Sequence, residues 1–503
     1  MKLTNRTFKG EVPKLTKWLY TSSGMFRDGL YQFISLFLMT FVQFCGLGDT
    51  TFEEYLAMYG VITAVVIVLR IWDGINDPLM GFIIEKCHFK TGKYRPWIFL
   101  GALSNSIVSI MMFWVMPTGW AYVAFFCVFY FLWDFTFTMN DIAFWSVLPN
   151  LTNEEKVRNN ITTILSIFIS IGTFAVGGIV PLVSAGNQEL TYKITALVCS
   201  ILFLASQMLL VIFMKERQIP QSLEKNSESM KFKDIFSVVI KNDQIRYSII
   251  AILFYYLGSS ILVAAGLNYF YFNFGYKEGG TYQLYFTIVY AAATIIGQAV
   301  YPLLVNKLKW KRKRILEISY IVSMCAYIFL FCYVFMPNYK ALFPLLCVFA
   351  FFAFFGQTIV SLIIYIMIQD SIDYNEYKFN ERRESAIFSL RAFTAKIASS
   401  LQQLVLYIFL SASSLLAISN GIANLEKEYV NQTEYIQNEA TKLTDSIELW
   451  QRIVFQVGFT LIPFICFLIS YLIIKFKYNI TEESHQQMID ELNKRHEKEI
   501  EHE

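Results

Sequence analysis

The segment Arg70-Ile-Trp-Asp73-Gly-Ile-Asn76-Asp77-Pro78-Leu-Met-Gly81 closes a long apolar run and puts two carboxylates and an amide inside it. Asp73, Asn76 and Asp77 stand at i, i+3 and i+4, so a helix stacks their oxygens on one face. An Asp at the centre of a membrane helix costs roughly 2.5–3.5 kcal/mol on insertion scales, and two cost more. A chain that keeps such a face must turn it toward protein or a wet cavity, with positive charge beside it. A bound cation and a partner Lys or Arg are the two candidates. The cluster therefore points to a cation site inside a bundle of helices.

Composition supports a membrane setting. Of 503 residues, 55% are hydrophobic and only 16% charged, against about 25% charged in a soluble domain. The net charge of +3 gives no footprint for nucleic acid. The eight cysteines are scattered without a Cys-x-x-Cys pair, and His88, His485, His496 and His502 fall in loop or tail sequence. Neither a disulfide framework nor an intramembrane metalloenzyme is indicated. The basic start (Lys2, Arg6, Lys9, Lys14, Lys17) leads into an apolar run that contains Arg27-Asp28 and has no cleavage site, which reads as a first membrane helix, not a signal peptide.

Runs long enough to span fall at about 18–46, 55–84, 96–116, 120–148, 161–185 and 192–214, then at 244–273, 281–306, 315–336, 341–369, 389–418 and 449–475. The expected fold is all-α, with twelve membrane helices in two six-helix halves. Domain bounds are 1–214 for the first bundle, 215–243 for a central loop, 244–478 for the second bundle and 479–503 for a tail. Lys and Arg concentrate in alternate loops, at 86–95, 156–158, 215–241, 307–314 and 378–383. The positive-inside rule then places both termini and the central loop in the cytoplasm of a multi-pass plasma-membrane protein. Pro78-Leu-Met-Gly-Phe-Ile-Ile-Glu-Lys86 and Pro302-Leu-Leu-Val-Asn-Lys307 form a faint echo between the halves. Asn420–Leu449, with its alternation of apolar and charged residues, and the charged tail from Thr481 both read as solvated surface structure.

Ionisable residues within membrane segments are functional candidates. Besides the Asp73/Asn76/Asp77 face, the first run holds Arg27-Asp28 and the fourth holds Asp134 and Thr138-Met-Asn-Asp141-Ile-Ala-Phe-Trp145. The tenth ends in Gln369-Asp370-Ser-Ile-Asp373-Tyr-Asn-Glu376, and the eleventh carries Arg391 and Lys396. Asp141 and Trp145 share a face at i and i+4. A carboxylate that accepts hydroxyl hydrogen bonds beside a flat ring suits a sugar, and Thr138 adds a hydroxyl nearby. A helix-packing Trp beside a paired Asp is the plainer alternative. Clustered oxygens on the second run suit a hard cation; carboxylates alone would serve a proton equally, while Asn76 and Thr138 favour sodium. Here the plainer alternative is a salt bridge to Lys396 with no ion. Lys396 is a candidate counter-charge that occupies the acidic cluster when no cation is bound. The charged turn from Gly81 to Arg95 and the run Asp373–Glu384, with Glu376 and Arg382, are candidates for gates.

At these residues the chain resembles the glycoside–pentoside–hexuronide:cation symporters. The motifs are Arg-Ile-Trp-Asp-x-Ile-Asn-Asp-Pro-x-x-Gly at 70–81, Gly-Lys-x-Arg-Pro-Trp at 92–97, Asp-Ile-x-Phe-Trp-Ser at 141–146 and Asp-Tyr-x-Glu-Tyr-Lys at 373–378. Arg382-x-Glu384-Ser385 and Lys396 also fall where that family places an Arg-x-Glu-Ser and a membrane lysine. The resemblance implies a major-facilitator fold working by alternating access and no enzyme activity. It assigns Asp73, Asn76, Asp77, Thr138 and Asp141 to a coupling cation, sodium or proton, with Asp73 and Asp77 as the sodium carboxylates. It assigns Asp28, Arg27, Asp141 and Trp145 to a small sugar; Lys396 is a further candidate for the substrate site, and the loop charges make Arg95, Asp373, Glu376 and Arg382 the gating candidates. No cofactor beyond the cation is implied, and the expected partners are sugar, monovalent cation and lipid around a monomer. The family's melibiose-type members place an Arg in the fifth helix, where this chain has no charge and Ser166 is nearest. They place a Trp in the tenth, where this chain offers Gln357, Thr358 and Ser361. The resemblance therefore does not extend to naming an α-galactoside as the sugar. The rival readings are a sodium-dependent lipid or lysolipid carrier of the same fold and a passive sugar facilitator or sensor.

Overall fold

In hydrocarbon a backbone must satisfy its own polar groups, so long helices are the natural outcome for these apolar runs. The computed structural model describes residues 7–8, 12–87, 89, 92–151, 155–214, 216–217, 242–379 and 384–502. Twelve of its helices are long and apolar enough to cross a membrane. The first six are α1 (Lys14–Phe41), α2 (Phe52–Lys86), α3 (Arg95–Trp114), α4 (Trp120–Leu151), α5 (Glu155–Ser184) and α6 (Gln188–Phe213). Next come α7 (Asp243–Ala264), a short α8 (Gly266–Phe274), α9 (Tyr276–Asn306), α10 (Arg312–Tyr333), α11 (Phe343–Phe379) and α12 (Glu384–Ala412). Then follow α13 (Leu415–Glu428), α14 (Thr433–Asp445), α15 (Leu449–Gln456), α16 (Ile462–Lys477) and α17 (Glu482–His502). A π-helical turn at Val457–Leu461 joins α15 to α16 as one span, and another at Val42–Gly46 extends α1. The two-residue strands β1 (Thr7–Phe8) and β2 (Glu216–Arg217) pair in parallel.

Large apolar side chains stand exposed along the helices: Val68, Ile75 and Leu79 on α2, Ile167 and Ile171 on α5, Ile288 and Ile295 on α9. Exposed apolar surface on that scale fits lipid contact, not water. Polar side chains point inward instead. Asn105 of α3 donates to the Trp133 carbonyl at 2.9 Å, and Asn140 of α4 donates to the Ile98 carbonyl at 3.0 Å. These bonds join α3 to α4 at two levels.

The chain clusters into two compact units. One comprises Met1–Ser229, Leu267–Thr287 and Ser413–Glu448; the other comprises Met230–Gly266, Ile288–Ala412 and Leu449–Glu503. In the first, α1 packs on α5 and α6, α3 on α4 and α6, and α2 on α4. In the second, α10 packs on α11, and α7 packs on α12 and α16.

Three expected spans have different ends. The run 244–273 is two helices, because α7 stops at Ala264 and α8 restarts at Gly266. The run 341–369 continues to Phe379, so Asp370, Asp373 and Glu376 lie on α11 and not beyond its end. The run 389–418 breaks after Ala412, where Ser414 adopts φ +58° and α13 begins. The two segments read as solvated are docked. Leu415, Leu416, Ile422 and Ala423 of α13 are fully buried, and Met488 and Leu492 of α17 are buried as well. Both segments carry an apolar stripe at helical spacing beneath their charges, which an emphasis on charge alone overlooks.

Gly101 lets α3 approach α4 closely, since an added Cβ would lie 2.7 Å from the Asn140 nitrogen, whereas one at Gly81 meets nothing within 4 Å. Gly101→Ala should therefore cost about 1–3 kcal/mol by overpacking, read as a lower melting temperature in detergent. Gly81→Ala should show no such loss.

Candidate functional site

Helix α1 brings Arg27 into the interior because glycines let α5 come close. At Gly172 an added Cβ would stand 2.2 Å from the Met25 carbonyl oxygen, and at Gly24 one would meet Leu165. The guanidinium, 1% exposed, is held between two carboxylates. Its Nη2 lies 2.9 Å from Asp28 Oδ2, and its Nη1 lies 2.5 Å from Asp141 Oδ1 on α4. Its flat face lies 4.3 Å from the Phe144 ring centroid and 5.2 Å from that of Trp145. Tyr20 supports this floor by stacking on Phe144 at 4.5 Å and donating from its hydroxyl to the Phe144 carbonyl at 3.1 Å. Asp28 and Asp141 keep 20% and 31% exposure, and Trp145 keeps 40%. The group therefore presents acceptors and a ring edge to open space, with the cation beneath them.

One turn earlier on α4, Thr138 turns the other way. Its hydroxyl donates to Asp73 Oδ1 of α2 at 3.3 Å. Asp73 is buried, and Asn76, one turn on, is 0% exposed. Both amide atoms of Asn76, Oδ1 and Nδ2, have no hydrogen-bond partner among the described residues. A fully buried amide left in that state costs several kcal/mol in hydrocarbon, on the order of 1–3 per atom. Asp77 is half-buried on the next position.

Arg70, one turn before Asp73, is the positive charge of this cluster. It is buried, it donates to the Tyr31 hydroxyl at 3.2 Å, and it lies near the rings of Tyr31 and Trp133. Asp73 and Asp134 stand within its Coulombic reach. An Arg three residues before an Asp on an apolar helix is the sequence signal for this charge, carried within the motif at 70–81. Among the described residues no three His, Cys, Asp or Glu side chains converge as metal ligands. The oxygens gathered here are the Asp73 carboxylate and Asn76 amide of α2 and the Thr138 hydroxyl of α4.

The structure brings Arg27, Asp28, Asp141 and Trp145 together, and brings Asp73 to Thr138. It places Asp141 on Arg27, while Thr138 serves Asp73, so the two residues of α4 face different partners. Lys396 is half-buried on α12, in the compact unit that does not contain the α2 acids. Ser166 is exposed. Gln357 donates to the Tyr327 hydroxyl at 2.5 Å and Thr358 to the Phe354 carbonyl at 2.9 Å.

The gating candidates have local partners. Arg95 is buried and donates from Nε to the Val211 carbonyl at 2.7 Å, in the last turn of α6, where a cation suits the helix C-terminus. Asp373 lies 2.9 Å from His485 Nε2 of α17. Asp370 lies 2.9 Å from Arg312, which also meets Glu482 at 3.2 Å. Glu376 is buried, and Arg382 lies outside the described residues.

Twelve apolar helices with paired charges in their interior define a multi-pass membrane protein of the transporter class. The chain belongs to the MFS/sugar transport protein family, whose profile matches residues 53–482. It is 25% identical over 492 residues to the raffinose carrier protein of Pediococcus pentosaceus, covering 93% of this chain and 69% of that protein. It is 24% identical over 365 residues to the putative glycoside/cation symporter YagG of Escherichia coli K12, covering 71% and 76%. Among solved structures, a bacterial homologue of the human lysosomal transporter Spinster matches with a TM-score of 0.60 at 12% identity, over 92% of this chain and 97% of that one. The resemblance to the glycoside–pentoside–hexuronide:cation symporters and the all-α twelve-helix fold both hold.

Arg27→Leu leaves two carboxylates without their shared cation. The substitution should cost about 2–3 kcal/mol, below the value for a fully buried pair because both acids keep some exposure. Adding Asp141→Asn should recover part of the loss. Melting temperatures of the single and double variants test this as a cycle.

Proposed function

We propose that the protein is a symporter that carries a small sugar together with sodium. The observation behind this reading is that α4 bears on both polar clusters from positions one turn apart. Thr138 reaches the α2 oxygens, and Asp141 reaches Arg27 and Asp28. A cation drawn to Asp73, Asp77, the Asn76 carbonyl and Thr138 would pull α2 and α4 together. That movement sets the height of Asp141 against Arg27, and so the acceptors offered to a sugar. Asp28 and Asp141 would accept sugar hydroxyls, Arg27 would donate to ring or hydroxyl oxygens, and Trp145 would stack on a sugar face. The neutral oxygens of Asn76 and Thr138 support sodium over a proton, which needs only a carboxylate. The relatives named as a raffinose carrier and a glycoside/cation symporter agree with a glycoside substrate and cation coupling.

Linkage fixes the energetics. If sodium favours the sugar-ready arrangement, sugar must raise sodium affinity by the same factor. Lys396 is proposed as the counter-charge that balances the acids in the ion-free part of the cycle. The distribution of Lys and Arg supports an orientation with both termini in the cytoplasm. Arg95, through α6, and Asp373 and Glu376, through α11, would then steady the cytoplasmic ends of their helices, and Arg382 is proposed to act with them.

Thermal stabilisation by a panel of glycosides, pentosides and uronides, each in sodium and in potassium at fixed pH, tests the reading. A sugar whose effect strengthens in sodium is expected. Stabilisation by sugar that ignores sodium but follows pH would replace sodium with a proton, and stabilisation by lysolipid alone would overturn the sugar reading. In proteoliposomes Asp77→Asn should abolish sodium-driven accumulation while sugar exchange across the membrane persists.

A further inference from the structure

The segment between α12 and the last membrane helix folds down as a strap. Four polar bonds tie α13 to the end of α1 and the turn after it. Gln43 donates to Ser419 at 2.8 Å, and Asn424 accepts from the Asp49 amide at 2.7 Å. Lys427 donates to the Gly48 carbonyl at 3.2 Å and Asn420 to the Thr50 carbonyl at 3.5 Å. From α14, Gln437 donates to the Ala185 carbonyl at 2.9 Å. At the centre lies Glu426, 5% exposed.

The hydrogen bonds around Glu426 fix its role. Gln188 donates from Nε2 to the Tyr276 hydroxyl oxygen at 2.6 Å, and the Gly186 amide donates to the same oxygen at 3.5 Å. The Tyr276 proton is therefore left for Glu426 Oε1, 2.6 Å away. Oε2 accepts from the Gln188 backbone N–H at 3.0 Å. Two oxygens accept from two neutral donors, and the partners of Glu426 among the described residues include no cation. The titratable groups on the surrounding elements are Cys45 at the end of α1, Glu189, Tyr192 and Lys193 on α6, Tyr271 on α8 and Tyr276 on α9. Lys193 is engaged with Glu189, and Lys427 on the strap itself with Gly48. A cavity of about 140 Å³, lined by Asn187, Glu189, Lys193, Val430 and Asn431, reaches Glu426 from the surface.

We propose that Glu426 is a proton-binding site that latches the 413–448 strap, closed with the proton on and loosened with it off. A carboxylate buried among neutral donors gives up its hydration without gaining a counter-ion, and it regains water when the strap lifts. Burial pushes the Glu426 carboxyl up to about 7, against the lowering effect of Tyr276 and the Gln188 and Gly186 amides. The sign follows. A carboxyl whose value is raised in the latched state holds its proton more tightly there, so the latch is fully favoured below the ordinary carboxyl range. That advantage is lost as pH rises through about 7. The cavity supplies the proton's path. In the proposed orientation that path opens to the outside medium, and the strap lies in the connection between the last two membrane helices. The device would make the outer ends of those helices sensitive to external pH.

Hydrogen exchange of the 415–428 amides in the full-length protein, corrected for intrinsic rates, reads the latch without reference to transport. Protection should fall by about tenfold between pH 6 and pH 8. Glu426→Gln should be flat across that range. Protection in the unaltered protein that does not change with pH overturns the proposal, as does a Glu426→Gln variant that keeps the dependence. Should that variant fail to fold, Tyr276→Phe serves instead. It removes a donor to the carboxylate, so the midpoint should move up by about one pH unit; an unmoved or lowered midpoint overturns the proposal.

Discussion

A guanidinium buried in a low-dielectric interior must be neutralised by groups that touch it, and Arg27 meets that demand with carboxylates from two helices. The requirement reaches well beyond the ion pair. It fixes the rotation of α1, since Asp28 follows Arg27 directly, and the height of α4, since Asp141 must come within 2.5 Å. It also explains the glycines facing α5, because only a close approach there lets α1 sit deep enough to bury the charge. Phe144, stacked on Tyr20, lies against the face of the same guanidinium.

The α2 cluster obeys the same rule with a different balance. Arg70 supplies one positive charge, while Asp73 and Asp134 stand near it and Asp77 lies one turn on. Within that group the Asn76 amide is buried with its polar atoms unmatched. Arg27 thus has its charge matched by contact, while the Asn76 amide has no hydrogen-bond partner among the described residues. Helix α4 bears on both places, and bonds made by Asn105 and Asn140 tie it to α3.

Much of this was legible in the sequence. Apolar length set the number of spans, and charge within those spans marked Arg27, Asp28, Asp73, Asp77 and Asp141 as interior groups. The limits were physical. The i and i+3 spacing of Thr138 and Asp141 places both on one side of a helix but cannot say that they turn to different neighbours. Hydropathy runs through Ala265 and Ser413 without pause, because a helix break in small residues leaves apolar content unchanged. Asp370 and Asp373 look like a loop from their charge, yet Arg312 and His485 pair with them and let α11 continue. Glu426 was the hardest to read. A glutamate in a charged stretch gives no sign that Tyr276 and Gln188, 150 and 238 residues away, will enclose it.

The π-helical turn at Val42–Gly46 has its own consequence. A turn of this kind holds one residue more than an α-turn, and here it coincides with a Gln43 carbonyl that accepts from the Tyr55 hydroxyl at 2.8 Å. The same residue's amide reaches Ser419 and Asn268. Below the turn, helical phase is set by Arg27; within the turn, Gln43 is held by its own partners. The extra residue is what allows both to be right at once. Helix α1 is thus gauged from its two ends like a ruler cut to length. Removing one residue between Arg27 and Gln43 would force a choice between the ion pair and the strap.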